Sequence, residues 1–411
     1  MNLGVLIPEF PGQTHSFFLR EIRALRDAGH TVRTLSTRPP PESERSRSDD
    51  SESESKRCVY LGEPGRLIGA SPGGAVSSLV NAGRLGKVLG RASASERVAL
   101  AKLLLPAAAL VQVARREGIE HVHVHSAANA ALVATLAKLL GGPGYSLTLH
   151  TRIDAFGGMQ DLKWEHASFG LLVAEALRDG LLEEVGYPEL VPPLTVAPMG
   201  IDPSAFRVTD EEREARWRRT AGDPFRVVTC GRLHVGKGHS DLIEAVAMLR
   251  GRSVETSLEI IGEGPDRPRL EAVIGDLGLG ERVTLLGRLE QHEIRDRLAS
   301  AHAYALASHN EAIGVATMEA MAAELPVVVT DVGGVGELVR HETNGLMVSP
   351  ERPGLVADML GRLAEGPEFA RRLAEAGHET VIEGFTSEAR ARRLMGALEA
   401  RGASEPISSH A

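Results

Sequence analysis

Cysteine is nearly absent from this 411-residue chain: Cys58 and Cys230 are too few and too widely separated for a disulfide framework or a zinc site, which suits a reducing cytoplasm. A basic excess is missing too, and a net charge of -9 argues against a general nucleic-acid binder. The opening MNLGVLIPEF has no basic stretch ahead of a long apolar one, so it reads as a first β-strand rather than a signal peptide. The most apolar long run, Val98 to Ala114, is interrupted by Lys102 and Pro106 and falls short of the ~20 residues a spanning helix needs, so a buried pair of helices is expected there. The first glycine loop, PEFPGQTHSFF, lacks the GxGxxG fingerprint, which counts against a classical dinucleotide dehydrogenase.

What is present is a soluble globular composition, 43% hydrophobic and 25% charged, in a chain longer than one core usually serves; two domains are expected. Leu3 to Ile7, an amphipathic segment through Phe17, Ile22 and Leu25, and the run Thr31 to Leu35 form a β-loop-α-β start. Gly12 is either an ordinary turn glycine or part of a ligand loop at the carboxyl end of a first parallel strand. Residues 39–57, PPPESERSRSDDSESESKR, are too polar to bury a core and are expected to be a mobile loop. Beyond it, Arg66, Arg84, Lys87 and Arg91 punctuate apolar positions; such a face is either solvated or touches an anionic membrane.

EHVHVHS alternates as a strand and projects His121, His123 and His125 to one face; no metal is expected, because successive positions on a strand are too far apart to converge on one ion unaided. The strand Tyr145 to Leu149 delivers His150 at its carboxyl edge, where open α/β sheets place chemistry. From Phe225 onward strands and helices alternate regularly as a second Rossmann-like layer. At its first strand end stands GRLHVGKGHSDL, where Arg232 and Lys237 flank a turn able to neutralise a diphosphate. The stretch Ser308 to Val335 carries Glu311 in a loop and Glu319 inside a helix that opens at Ile313, Gly314 and Val315. Unpartnered N–H groups at such a helix start bind phosphate, while a carboxylate nearby can accept both hydroxyls of a ribose. Amphipathic helices are expected over Pro353 to Ile382 and Ser387 to Ala400.

EAMAAELPVVVTDVGG, with a glutamate eight positions before its first, resembles the donor-site signature of retaining glycosyltransferase family 4, which has the GT-B fold; Ile313 stands where Phe is usual. The opening FPGQTHSFFLREIRALRDAGHTV resembles the exopolysaccharide-type members, with His15 in place of their usual Glu. The resemblance implies that Glu311 contacts the transferred sugar and Glu319 the ribose. GRLxxxKG is similar to the family's diphosphate-binding segment, carried by Arg232 and Lys237, and T-x-H followed by Asp154 to its active-site histidine segment, carried by His150. Gly262 to Gly264, Leu286 to Arg288, and Gly333 with Gly334 match turns around the nucleotide, and Gly12 joins this donor set. His125, Asp154 and Thr14 fall on the acceptor side, with Trp164, Glu165 and His166 as further candidates to border it.

The expected architecture is therefore α/β, GT-B: two Rossmann-like domains facing across a cleft. Residues 1–203 form the acceptor-side domain, 204–385 the nucleotide-sugar domain, 386–400 a helix crossing back to the first domain, and 401–411 a tail. The expected activity is metal-independent, retaining transfer of a sugar from a UDP- or GDP-sugar to a glycan, a lipid-linked sugar or a small natural product, with no other cofactor. The cytoplasm, with peripheral contact at the inner membrane face, is the expected location. An epimerase, a glycogen-type phosphorylase and a noncatalytic sugar-nucleotide-binding protein of the same fold are the alternatives.

Overall fold

The computed structural model describes residues 1–12, 16–41, 49–62, 83, 85–218 and 223–402. The chain divides into two compact units, Met1–Pro198 with Ser387–Ala411, and Met199–Thr386. Thirteen strands build two sheets among the described residues. In the first unit they are β1 (Asn2–Glu9), β2 (Thr31–Arg38), β3 (Val59–Tyr60), β4 (His121–Val124), β5 (Gly144–Leu149), β6 (Gly170–Leu172) and β7 (Leu194–Val196). In the second they are β8 (Phe225–Cys230), β9 (Thr256–Ile261), β10 (Val283–Gly287), β11 (Ala303–Leu306), β12 (Val327–Thr330) and β13 (Leu346–Val348).

The sheet orders are β3-β2-β1-β4-β5-β6-β7 and β10-β9-β8-β11-β12-β13, with parallel pairing throughout. Both are doubly wound: the winding reverses between β1 and β4, and again between β8 and β11. Parallel strands are covered on both faces, so runs such as Val327–Thr330 are apolar without alternation and wholly buried.

The helix Ser16–Asp27 (α1) lays Phe18, Ile22 and Leu25 on the first core with Leu3, Val5 and Ile7. Residues 49–57, expected to be part of a mobile loop, are instead a helix, α2 (Asp49–Arg57). Its polarity is answered by partners on neighbouring elements: Arg23 Nη2 donates to Asp50 at 2.8 Å, Arg26 donates twice to Glu54 at 2.7 and 2.8 Å, and Thr34 Oγ1 donates to the same carboxylate. A second correction concerns Ala94–Glu117 (α3), a single 24-residue helix rather than a buried pair. A Ser93/Glu96 capping box starts it and left-handed Gly118 ends it, while Pro106 is accommodated at the loss of one intrahelical bond. Leu100, Ala107, Leu110, Val111 and Ala114 are buried, but Val98 and Leu105 are 59% and 51% exposed. This helix is long and apolar enough to cross a membrane by length and composition.

Asn129–Leu139 (α4) packs against β5 and α3. In the second unit His239–Gly251 (α5) follows β8 and Val315–Ala322 (α6) follows β11. The expected helix from Pro353 to Ile382 is two, Pro353–Glu365 and Pro367–Gly384, because Gly366 and Pro367 interrupt it. The last helix, Ser387–Gly402 (α7), belongs to the first unit, where Leu394, Met395 and Leu398 join the core around β1 and α1.

Candidate functional site

In the second unit the loops leaving β8 and β12 both meet the loop leaving β11 near the reversal point of the sheet, and a glycine in each lets the backbones touch. Gly238 has φ +63, and a Cβ there would stand 1.8 Å from the carbonyl oxygen of Ala307. Gly333 has φ +55, and a Cβ would stand 1.9 Å from the carbonyl oxygen of Glu311. No L side chain fits either place. The contacts are sealed by hydrogen bonds: His309 N donates to Gly236 O at 2.9 Å, and Gly334 N to Ala312 O at 3.0 Å.

That closeness sets the side chains. The short turn Val235–Lys237, capped by His234 Nδ1 accepting from Gly236 N at 3.1 Å, points Lys237 at Glu311, and Lys237 Nζ donates to its carboxylate. Both side chains keep some exposure, 29% and 14%. Arg232 is exposed and its guanidinium has no partner among the described residues. Gly314, with φ +88, caps α6; Ile313 is buried beside it and Val315 begins the helix. In the same region Ser308 Oγ and Thr317 Oγ1 are buried without partners. Glu319, half-buried on α6, lies close enough to Cys230 to act on it: burial pushes that thiol up to about 12 and the Glu319 charge adds to the effect, so Cys230 stays a thiol. Gly262 N donates to Gly287 O at 2.8 Å and Leu233 N to Glu263 O at 3.0 Å, drawing the turns at Gly262, Gly264, Leu286 and Arg288 toward the β8 loop.

The first unit holds a second constellation. His121, His123 and His125 do share one face of β4, and all three are buried. His121 Nε2 and His123 Nδ1 lie 2.9 and 2.8 Å from Ser146 Oγ, and His123 Nε2 lies 2.8 Å from Thr148 Oγ1. His125 Nδ1 lies 3.1 Å from Nε2 of His150, and His125 Nε2 lies 2.9 Å from Oε1 of Glu21 on α1. Arg390, from α7, donates to Glu21, to Ala197 O and, at 3.2 Å, to Thr148 Oγ1. Burial alone would raise the Glu21 carboxyl, but the Arg390 guanidinium and His125 outweigh it and hold it well below the carboxylate range. Burial, with His125 and Arg390 nearby, pushes His123 and His150 well below the usual imidazole value, so both rings are neutral.

Glu21, His123 and His125 are near enough to one another to surround a metal ion, with ligand atoms within 4.8 Å. Their valences are already taken: a guanidinium sits on the carboxylate, and both nitrogens of His123 face hydroxyls. That donor set fits a hydrogen-bonded network better than a cation.

The sequence-derived candidates thus divide between the units. Arg232, Lys237, Glu311, Ile313, Gly314, Val315, Glu319, Gly262, Gly264, Leu286 and Arg288 lie in the second; Gly12, His125, His150 and Asp154 lie in the first. Thr14 lies outside the described residues. Asp154 is exposed and paired with Arg152 at 2.8 Å. Trp164 is fully buried, and a Cβ on Gly170 would stand 2.5 Å from its ring. Glu21 and Arg390 were not expected at the site. Glu21 falls on the apolar face of α1 with Phe18, Ile22 and Leu25, and Arg390 on that of α7 with Ala391 and Leu394; a charge in a buried stripe is the signal that marks both.

Residues 210–380, most of the second unit, match the family model described as Glycosyl transferases group 1. Alpha-D-kanosaminyltransferase of Streptomyces kanamyceticus is 34% identical over 194 residues, 46% of this chain and 50% of that protein, so the chain spans about half of that relative. N-acetyl-alpha-D-glucosaminyl L-malate synthase of Bacillus anthracis is 28% identical over 291 residues, 69% of this chain and 75% of that one. Among solved structures, Anabaena HepE in complex with UDP superposes with a TM-score of 0.73 at 18% identity, covering 97% of this chain and 100% of its own. Sucrose-phosphate synthase from Thermosynechococcus elongatus gives 0.72 at 19% identity, covering 98% and 100%. The fold is GT-B, and the sequence matches support a group-1 glycosyltransferase.

Proposed function

We propose that this chain is a retaining glycosyltransferase of family 4 that takes a UDP- or GDP-sugar as donor and transfers its sugar, without a metal ion, to an acceptor on a glycan, a lipid-linked sugar or a small natural product. The observation that carries the reading is the Lys237–Glu311 pair at the reversal point of the second sheet, inside the segment that matches the group-1 family. Two cations and a helix start gather there, which is what a departing nucleoside diphosphate requires.

In this reading the partly buried Lys237 and the exposed Arg232 take the charge that develops on the diphosphate, and the first N–H groups of α6 take a phosphate oxygen. Supplying that charge from side chains leaves no step that calls for a metal. Glu319 accepts the ribose hydroxyls. Glu311, already oriented by Lys237, accepts a hydroxyl of the transferred sugar, and His150 is assigned to sugar recognition from the first unit. No carboxylate is assigned as a covalent nucleophile; the acceptor attacks from the face the diphosphate leaves. Gly12, Asp154, His125 and Thr14 are assigned to the surroundings of donor and acceptor.

We place the protein in the cytoplasm, at the inner membrane face. Support comes from α3, whose exposed Val98, Ala101 and Leu105 run beside Arg97 and Lys102, a pattern that suits an anionic lipid surface.

The functional test is a thermal-shift panel of nucleotide sugars followed by turnover with the stabilising donor. Glu319→Ala weakens donor binding about 10- to 100-fold, the range for a lost charged hydrogen bond, and Lys237→Ala lowers turnover at least as much. Wild-type values for both variants would overturn the proposal.

A further inference from the structure

The buried network of the first unit has a direction, because two of its members are fixed in what they can give and accept. Arg390 only donates and the ionised Glu21 only accepts. The nitrogen of His125 that faces Glu21 at 2.9 Å must therefore carry a hydrogen, since a bare lone pair there would confront a carboxylate oxygen with neither atom otherwise partnered. Glu21 already has one buried positive charge in Arg390, so a second proton on His125 would be a buried charge without a counter-ion. With its hydrogen on Nε2, the His125 ring has a bare Nδ1. That bare nitrogen lies 3.1 Å from Nε2 of His150, which must then be the donor.

We infer that Glu21, His125 and Arg390 are positioning residues that lock His150 in its Nε2–H form, so that the half-buried residue presents a bare Nδ1 and recognises only a group that donates a hydrogen bond. Among the described residues Nδ1 of His150 has no partner. The rings of Phe17 and Phe18, with centroids 5.6 Å from it, hold the imidazole plane. A second branch points the same way: Arg390 donates to Thr148 Oγ1, whose single hydrogen goes to His123 Nε2, whose Nδ1–H goes to Ser146, whose hydrogen goes to His121. Reversing any link leaves a buried hydroxyl hydrogen without an acceptor. The arrangement is that of a carboxylate–imidazole pair orienting a third group, with a second imidazole as that group.

That the donated hydrogen belongs to a hydroxyl of the transferred sugar rests on the glycosyltransferase reading; the ring form does not. The test is a long-range proton–nitrogen correlation spectrum of the full chain with 15N-labelled histidine, in which His150 and His125 are assigned by loss of signals in His150→Asn and His125→Gln. Wild type shows each ring with a hydrogen on Nε2 and none on Nδ1. Arg390→Met deprives Glu21 of its cation, so His125 takes a second proton and donates from Nδ1, and His150 switches to the Nδ1–H form. Glu21→Gln removes the fixed acceptor, and both rings exchange between forms. In turnover assays Glu21→Gln lowers kcat about 10- to 100-fold, the effect seen when a histidine's orienting partner is removed, with donor KM within about twofold. A wild-type His150 carrying its hydrogen on Nδ1, or an unchanged His150 spectrum in folded Arg390→Met, overturns the inference. A correct spectrum in a chain without transferase activity would leave the inference standing and sink the functional reading alone.

Discussion

Replacing Arg390 by methionine is the sharpest perturbation of the first unit, because it keeps the bulk of the side chain and removes only what the guanidinium does. Both Arg390 and Glu21 are 1% exposed, so water does not take over the carboxylate when the cation leaves. Removing one member of a buried pair costs about 3–5 kcal/mol, and the lower end applies because His125 Nε2 still stands at 2.9 Å from the carboxylate. At about 2–4 °C per kcal/mol for a unit of this size, a loss of about 3 kcal/mol lowers its melting temperature by about 6–12 °C. Urea denaturation followed by calorimetry measures it. Glu21 is held below its ordinary value of 4.5, so the stabilisation is complete above about that pH and is lost as pH falls through the folded value. The gap between variant and wild type therefore narrows in acid. The double variant Glu21→Leu with Arg390→Met recovers most of the loss, as apolar replacement of a whole buried pair does. A single variant within about 0.5 kcal/mol of wild type at neutral pH would refute the argument.

Gly238→Ala strains a backbone at φ +63 and drives a Cβ to 1.8 Å from Ala307 O; it costs at least about 2 kcal/mol and abolishes nucleotide binding by parting the loops that carry Lys237 and Glu311, which calorimetric titration would show. His123 and His150 are depressed by burial, and His239 to about 4; all three are neutral when folded and take protons near 6.5 when unfolded. Stability is thus full above about pH 6.5 and declines below it, and a urea midpoint flat from pH 7.5 to pH 5 would contradict this. Leu105→Glu, at a 51% exposed position of α3, leaves the melting temperature within about 2 °C and weakens sedimentation with anionic phospholipid vesicles at least about tenfold; equal sedimentation would remove α3 as the contact.

Much of the second unit is legible locally. The strands from Phe225 to Thr330 are short, mostly apolar runs, and the glycine turns after them carry Arg232, Lys237 and Glu311 within loops whose chemistry needs no distant partner to be read. The short strands Gly170–Leu172 and Leu346–Val348 escape notice, since three residues carry no periodicity. Composition misleads where tertiary contacts override it: DDSESESKR is a helix because Arg23, Arg26 and Thr34 receive its acids, and the run around Pro106 is one helix because its caps and its buried half hold it. The histidine network is legible only in part. Its rings come from neighbouring strands with visible patterns, but Glu21 and Arg390 are separated by 369 residues, and nothing in either helix names its partner.

That separation bears on how the protein is made. Because α7 completes the core around β1 and α1, the first half of the polypeptide leaves the ribosome without the piece that closes it, and the whole of Met199–Thr386 is translated in between. The later-made unit has all its strands in one continuous stretch and can finish folding first, while the earlier-made one waits, with Glu21 lacking its counter-ion, for the last helix to emerge. A nascent chain halted at Thr386 would therefore be protease-resistant in its second half and open in its first, and emergence of α7 would close the first.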